Sequence, residues 1–185
     1  MSASHRYRLT RTVVLVGMMG SGKTAIGRAL AAELDVPFVD SDAAIEEAAA
    51  ATIAEIFARD GEDFFRKREE EVLRRLLSGP PGIVSTGGGA FLSEANRAAI
   101  ADLGIAVWLD ADLATLWERV RHKDTRPLLR TADPKATLAE IFHKRTPIYR
   151  QAGLHIRVAA DASITETMQT VLGALAARPD ILENK

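Results

Sequence analysis

The stretch GMMGSGKT, residues 17–24, decides the fold of this 185-residue chain. It matches G-x-x-x-x-G-K-[ST] in full, between an apolar run, TVVLV at residues 12–16, and a helical pattern over residues 22–34. In such a strand, loop and helix, backbone N–H groups and the positive end of the helix face a phosphate. Lys23 would reach the β- and γ-phosphates, and the Thr24 hydroxyl would ligate Mg²⁺. The stretch therefore predicts a nucleoside triphosphate site.

Outward from this loop, short β-branched runs alternate with longer helical patterns. The further predicted strands lie at residues 36–40, 82–85, 105–109 and 154–158. The predicted helices lie at residues 43–78, with breaks near 51–52 and 60–61, and at 113–120, 136–151 and 164–177. Right-handed crossovers between such strands build a parallel sheet with both faces covered. The sequence predicts one α/β domain over residues 12–185, after a flexible leader at residues 1–11.

Composition and charge exclude several classes of protein. The 24 Lys and Arg residues balance 25 Asp and Glu, and a formal charge of -1 argues against a nucleic-acid or membrane-surface partner. A hydrophobic fraction of 47% is too high for a disordered chain. The absence of cysteine excludes disulfides and thiolate chemistry and is compatible with a reducing cytosol. No apolar run approaches the roughly 18–20 residues of a membrane span. We expect a cytoplasmic monomer.

Polar residues and glycines follow the predicted strands at their carboxyl ends, where open parallel sheets bind ligands. Asp40 and Asp42 follow the second strand, so one could serve Mg²⁺ and the other an acceptor hydroxyl. Capping of the next helix is an equal alternative for Asp42. Residues 86–89, TGGG, follow the third strand and would let the backbone approach a ligand closely. After the fourth strand, Asp110 and Asp112 are expected to cap a helix.

Two arginines would suit an anionic acceptor. Arg66 and Glu69 share a helix face at i,i+3, for which a surface ion pair is the simple alternative. Arg145 lies on a later predicted helix. Guanidinium groups grip carboxylates through two parallel hydrogen bonds, so both arginines in one pocket would bind a carboxylate. The sequence leaves open whether they converge.

A basic segment follows the fourth strand. Residues 119–130 carry five Arg or Lys against one Asp, with Arg126 near the centre. Charged loops of this length in compact domains are commonly lids, and a lid over about residues 121–134 would bring Arg126 to the transferring phosphoryl group. A solvated basic loop is the alternative. The four histidines show no metal-ligand spacing and receive no role.

In this order, GMMGSGKT, VDSD, GEDFFRKRE, STGGGA, RPLL and RTPIY resemble the motif set of bacterial shikimate kinases, over about residues 12–173. The resemblance implies a three-layer α/β/α P-loop kinase fold with a five-stranded parallel sheet of order 2-3-1-4-5 and a mobile lid. It implies phosphorylation of the 3-hydroxyl of shikimate by ATP, with one Mg²⁺ per ATP. The product would be shikimate 3-phosphate, on the route to chorismate and the aromatic amino acids.

The resemblance also implies residues that bind the acceptor. Asp42 would contact the acceptor hydroxyl, either as a base or as an orienting hydrogen-bond acceptor. Arg66 and Arg145 would bind the carboxylate of shikimate. Gly88 would give a backbone contact, and Glu69 would orient Arg66.

A second implied set binds Mg·ATP. Thr24 and Asp40 would hold the metal, and Arg126 would approach the phosphates from the lid. The residues implied in nucleotide binding are Gly20, Ser21, Gly22, Lys23, Thr24, Ala25 and Arg126. The implied catalytic residues are Lys23, Asp42 and Arg126. Contact with adenine is left open between Arg119 and Arg121.

Three other functions share part of this pattern. A gluconate-type kinase also has a phosphate loop and an anionic acceptor. In a nucleoside-monophosphate kinase, Asp40 and Asp42 would face an already anionic phosphate. A catalytically silent nucleotide-binding module would have no need for the loop lysine, the acceptor aspartate and the lid arginine together. A GTPase is disfavoured because the chain has no N-K-x-D motif.

Overall fold

Five parallel strands form the central sheet in the computed structural model, which describes residues 6–123 and 126–185. The described strands are β1 (Tyr7–Leu9), β2 (Thr12–Val16), β3 (Phe38–Asp40), β4 (Ile83–Ser85), β5 (Gly104–Asp110), β6 (Leu154–Arg157) and β7 (Leu182–Asn184). The central sheet has the order β3-β4-β2-β5-β6. Numbered from β2, this order is 2-3-1-4-5, which confirms the predicted fold class. Residues 1–5 of the predicted leader and 124–125 of the predicted lid lie outside the described residues.

Helices cover both faces of this sheet. The described α-helices are α1 (Lys23–Leu34), α2 (Ser41–Ala49), α3 (Ile53–Asp60), α4 (Glu62–Ser78), α5 (Glu94–Leu103), α6 (Leu113–Val120), α7 (Pro134–Tyr149) and α8 (Ile164–Ala176). Short 3₁₀ turns lie at Ala90–Leu92 and Pro127–Leu129. Helix α5 is absent from the sequence-based assignment, although the Ser93 side chain accepts a hydrogen bond from the Asn96 N–H as its N-cap. No helix in the described part of the chain is long and apolar enough to cross a membrane.

The breaks predicted inside residues 43–78 are confirmed. Ala50 ends α2 in the left-handed region at φ 50°, and the Thr52 side chain then caps α3 by accepting a hydrogen bond from the Glu55 N–H. Gly61 at φ 85° separates α3 from α4, a conformation that glycine adopts without strain. These breaks give three helices that surround a separate small core of Ile45, Ile56, Phe65 and Val72.

Strand β2 is the centre of the main core and fixes the position of the site. All five of its residues are buried, as are all seven of β5, which is consistent with the apolar runs at residues 13–16 and 105–109. Val13 pairs with Ile83 of β4 on one side and with Ile105 of β5 on the other. Because these strands are parallel, their carboxyl ends and the loops that follow lie along one edge of the sheet.

A second, two-stranded sheet corrects the prediction of a flexible leader. In it, β1 pairs antiparallel with β7, with Leu9 opposite Leu182. Leu9 is 7% exposed and Leu182 is 1% exposed, and both belong to the main hydrophobic core. The leader prediction is wrong for residues 7–9 because their partner strand lies about 175 residues away, beyond the reach of local patterns.

We expect Leu182→Ala to lower the free energy of unfolding by about 2–4 kcal/mol, because the substitution leaves a cavity in the main core. Asn184→Ala is the matched control, since Asn184 is exposed on the same strand. Urea unfolding followed by circular dichroism measures both. Equal unfolding midpoints for the two variants would show that the terminal sheet contributes nothing to the folded core.

Candidate active site

A cleft of about 660 Å³ lies at the carboxyl edge of the central sheet. It is lined by most of the predicted site residues, namely Gly20, Gly22, Lys23, Thr24, Ala25, Asp40, Asp42, Gly88 and Arg126. Ser21 does not line the cleft and is fully buried beneath the loop. Arg66 and Arg145 lie at the border of the cleft, where their guanidinium groups are next to glycines of the 86–89 segment.

The phosphate loop depends on glycines in the left-handed region. Gly20 has φ 83°, and Gly22 has φ 97° at the point where α1 begins. Lys23 folds back over the loop, and its Nζ donates hydrogen bonds to the carbonyls of Gly17, at 2.8 Å, and Met18, at 3.0 Å. The loop and the start of α1 line the cleft, and the positive end of this helix makes that part of the cleft an anion site.

Positive charge is crowded in this cleft. Burial, together with the positive charges of Arg126 and Arg145, lowers the pKa of Lys23 to about 8. Arg126 Nε and Arg145 Nη1 are buried and have no hydrogen-bond partner among the residues that the structure describes. An unmet buried donor costs roughly 1–3 kcal/mol, so these groups favour a ligand rich in anionic oxygens.

The aspartates at the end of β3 and the start of α2, Asp40 and Asp42, have different surroundings. Asp40 is the N-cap of α2, and its Oδ1 accepts hydrogen bonds from the N–H groups of Asp42, at 2.9 Å, and Ala43, at 3.3 Å. The alternative that Asp42 caps this helix is therefore wrong. Burial and the negative charge of Asp40, opposed by Lys23, raise the pKa of Asp42 to about 6. Asp42 is left as a basic carboxylate in the cleft.

Three charged side chains lie against the three consecutive glycines. A Cβ on Gly87 would lie 2.6 Å from both carboxylate oxygens of Asp42. A Cβ on Gly88 would lie 2.7 Å from Arg145 Nη1, and one on Gly89 would lie 2.6 Å from an Arg66 nitrogen. A side chain at any of the three positions would therefore displace a charged group from its place. The two arginines thus converge beside the carboxylate.

Arg66 is held by a buried partner. Its Nη1 donates to Glu69 Oε1 at 2.8 Å, and the Glu69 side chain is 2% exposed. Burial raises the pKa of Glu69, and the hydrogen bond and charge of Arg66 oppose that effect. The surface-pair alternative is wrong, because a buried carboxylate fixes Arg66 in one orientation at the cleft.

The two aspartates at the end of β5 and just beyond it, Asp110 and Asp112, have different roles. Asp112 caps α6, accepting a hydrogen bond from the Thr115 N–H at 2.8 Å, as predicted. The capping prediction is wrong for Asp110, whose Oδ2 instead contacts His155 Nε2 at 2.7 Å and Arg157 Nη1 at 3.1 Å. The register explains this, because Asp110 lies opposite Arg157 on β6.

Only one of the two arginines proposed to contact adenine lines the cleft. Arg119 lines the cleft and its Nη1 donates to the Gly20 carbonyl at 3.1 Å. Arg121 is exposed and pairs with Glu118 at 3.3 Å. The cleft is also lined by Ile164 and Thr167 at the start of α8, neither of which is among the predicted site residues. The sequence could have indicated them, because α8 follows the carboxyl end of a strand of the central sheet, where such sheets bind ligands.

This fold and site define a P-loop kinase of a small acceptor. The phosphate loop supplies the triphosphate site, and the carboxylate with two guanidinium groups supplies an acceptor pocket for a hydroxylated anion.

Comparison with known proteins gives the family. The family model of shikimate kinase matches residues 19–176. A shikimate kinase from Ruegeria pomeroyi is 60% identical over 175 residues, which cover 95% of this chain and 90% of that protein. A shikimate kinase structure from Acinetobacter baumannii, in complex with shikimate, has a TM-score of 0.83 and 36% identity, covering 90% of this chain and 93% of that chain. The chain belongs to the shikimate kinase family, as predicted, and is an ATP-dependent kinase.

A gluconokinase structure from Sinorhizobium meliloti is more distantly similar. It has a TM-score of 0.60 and 18% identity, covering 92% of this chain and 94% of that chain. At this identity the likeness shows the shared fold alone.

The raised pKa of Asp42 predicts the acid limb of the pH profile. If the ionised carboxylate works on the acceptor, kcat/KM for shikimate should fall tenfold per pH unit below about pH 6. Steady-state rates between pH 5 and pH 8 measure this. An acid limb near pH 4 would contradict a perturbed Asp42.

The raised pKa of Asp42 also changes how the free energy of unfolding depends on pH. A carboxyl whose folded pKa is raised destabilises the protein once it ionises, so the cost is complete above about pH 6 and absent below its ordinary pKa of 3.8. Asp42→Asn should therefore raise the free energy of unfolding at pH 8 by on the order of 1 kcal/mol, with a smaller gain at pH 5. The exposed Asp161→Asn serves as control.

Proposed function

We propose that this protein transfers the γ-phosphoryl group of ATP to the 3-hydroxyl of shikimate, giving ADP and shikimate 3-phosphate. The observation that carries the proposal is the contact of Asp42, Arg145 and Arg66 with three consecutive glycines beside the phosphate loop. One carboxylate and two guanidinium groups in this space match one reacting hydroxyl and one carboxylate on a single small molecule. Membership of the shikimate kinase family supports the same substrate.

On the acceptor side, each charged group has one task. Arg66, oriented by Glu69, and Arg145 bind the carboxylate of shikimate, and the Gly88 backbone lies close enough to contact the ring substituents. Asp42 accepts a hydrogen bond from the 3-hydroxyl and orients its oxygen toward the phosphate loop. Positioning of this kind supplies much of the catalysis in phosphoryl transfer, since the transition state needs little covalent help.

On the nucleotide side, the phosphate loop and the lid converge. The N–H groups of Gly20 and of residues 22–25, which line the cleft, hold the phosphates. Lys23 leaves the Gly17 and Met18 carbonyls to reach them. The unpartnered Arg126 Nε then finds an acceptor on the phosphate chain. Arg119 and Ile164, which both line the cleft, are the best placed residues for contact with adenine.

Asp40 and Thr24 fit a magnesium ion that arrives with ATP. Both line the cleft, and they offer hard oxygen ligands, a carboxylate Oδ2 left free by capping and a hydroxyl. The described residues contain no cluster of three or more His, Cys, Asp or Glu able to hold a metal alone. This suits Mg²⁺, which keeps water and substrate phosphate as most of its ligands. When bound, the ion neutralises charge on the phosphates.

The chemical step then balances without a further reactant. The shikimate 3-oxygen bonds to the γ-phosphorus while the bond to the β,γ-bridging oxygen breaks and ADP leaves. The hydroxyl proton passes to Asp42, whose raised pKa makes it a better proton acceptor than an ordinary aspartate. Lys23 and Arg126 stabilise the charge on the transferring group.

We also propose that the enzyme works in the cytoplasm as a monomer, with a single kinase domain that includes β1 as well as residues 12–185. A balanced charge, the absence of cysteine and the use of ATP support this assignment.

The direct test measures ADP release from Mg·ATP with shikimate, gluconate, quinate, AMP or no acceptor. We expect release with shikimate at least a hundredfold above that with each alternative, since Arg66 and Arg145 require a carboxylate in register with the reacting hydroxyl. ADP release with gluconate alone would show that the assignment of shikimate as the acceptor is wrong. No release with any acceptor, alongside intact ATP binding, would identify a silent nucleotide-binding module.

Arg145→Ala should raise the KM for shikimate at least tenfold and leave the KM for ATP within about twofold, because a charged hydrogen bond contributes roughly 1.5–3 kcal/mol. Arg150→Ala is the matched control, an exposed arginine at the end of the same helix. Steady-state kinetics with each substrate varied in turn gives both values. An equal rise in the two KM values would argue against a role confined to the acceptor.

A further inference from the structure

Tyr149 is a buried aromatic residue that the proposed mechanism does not use. It is the last residue of α7 and is 1% exposed. Its ring stacks between Trp108, with centroids 6.2 Å apart, and Phe91, with centroids 6.4 Å apart. Its hydroxyl donates a hydrogen bond to the Gly88 carbonyl at 2.9 Å. A rigid side chain thus reaches from the core to the middle of the triple glycine.

Tyr149 and Arg145 act on the same glycine. They are four residues apart on α7 and so share one face of the helix. The Arg145 guanidinium lies against the Cα of Gly88, where a Cβ would be 2.7 Å from Nη1, while Tyr149 holds the carbonyl of that residue. The position of Gly88 relative to Arg145 is therefore fixed through a single helical turn.

The triple glycine needs such anchors because glycine has the widest backbone freedom of any residue. At one end, the Thr86 hydroxyl donates to the Leu15 carbonyl at 2.9 Å. At the other, Asn96 Nδ2 donates to the Ala90 carbonyl at 2.9 Å. Between these anchors lie residues 87–89, and the Tyr149 hydroxyl fixes their midpoint.

We propose that Tyr149 is a positioning residue for the acceptor, which fixes the Gly88 backbone against the Arg145 guanidinium and thereby sets the affinity for the carboxylate of shikimate. The inference rests on the proposed function, since it concerns the same pocket. Tyr149 does not line the cleft, and its hydroxyl acts through Gly88 and Arg145.

The hydroxyl keeps its proton over the working range of the enzyme. Burial raises the pKa of Tyr149 above its ordinary value of 10, although the nearby Arg145 opposes this. The bond to Gly88 should therefore persist at neutral and mildly alkaline pH, and its contribution to binding should not vary there.

The test replaces Tyr149 by Phe, which removes the hydroxyl and keeps the stacked ring. We expect the KM for shikimate, and its dissociation constant measured by calorimetry without nucleotide, to rise about five- to tenfold. The values of kcat and of the KM for ATP should stay within twofold, and the ratio of variant to wild type should be constant from pH 7 to pH 9. Tyr7→Phe is the matched control, because Tyr7 is the other tyrosine of the chain and does not line the cleft.

A double-variant cycle tests whether the Tyr149 hydroxyl acts through Arg145. In an Arg145→Ala background, removal of the Tyr149 hydroxyl should raise the KM for shikimate less than twofold, because its main target is gone. The full five- to tenfold rise in that background would overturn action through Arg145.

The outcomes separate this inference from the proposed function. If the wild-type protein fails to phosphorylate shikimate, the proposed function fails. If the wild type is active and Tyr149→Phe binds shikimate normally, the positioning role fails alone. If Tyr149→Phe loses affinity for ATP to the same extent, the hydroxyl supports the fold in general, and the positioning role is again overturned.

Discussion

The acceptor pocket depends on the absence of three side chains. At residues 87–89 the backbone passes so close to Asp42, Arg145 and Arg66 that a single added carbon would collide with each charged group. This close approach lets a short segment bring elements from different parts of the chain into one small space, since Asp42 lies on α2, Arg66 on α4 and Arg145 on α7. Three consecutive glycines lose more backbone conformational entropy on folding than other residues would, and this loss is unfavourable for folding. Hydrogen bonds from Thr86, Asn96 and Tyr149 offset that cost by fixing the segment and its flanks.

The charged groups that line the cleft have perturbed pKa values. The pKa of Lys23 moves down to about 8 and that of Asp42 moves up to about 6, so each group is held closer to its neutral form than it would be in water. Buried charge without a full set of partners is the common cause. Anionic phosphates would relieve the cationic side and a donating hydroxyl the anionic side. Substrate binding thus completes interactions that folding leaves unfinished, which is typical of a preorganised site.

Features with a local cause could be predicted from the sequence. The phosphate loop, the five central strands and the breaks at Ala50 and Gly61 each follow from nearby residues, and the order of the central sheet is implied by the family resemblance. The partner of Asp110 could not be predicted, because it depends on the register of β5 against β6. The convergence of Arg66 and Arg145 could not be predicted either, because the helix patterns of α4 and α7 do not determine how these helices pack against the glycines. The sheet of β1 and β7 joins distant segments that carry only three residues each.

That terminal sheet has a consequence for biosynthesis. Arg8 and its partner Glu183 are 175 residues apart. At translation rates of roughly 5–20 residues per second, β1 waits roughly 9–35 seconds for the strand that completes it. During this interval its hydrogen-bonding edge is open to other chains, and basic side chains such as Arg6 and Arg8 discourage pairing between identical strands. The main sheet can close first, after which the remaining segment joins a preformed surface at little entropic cost.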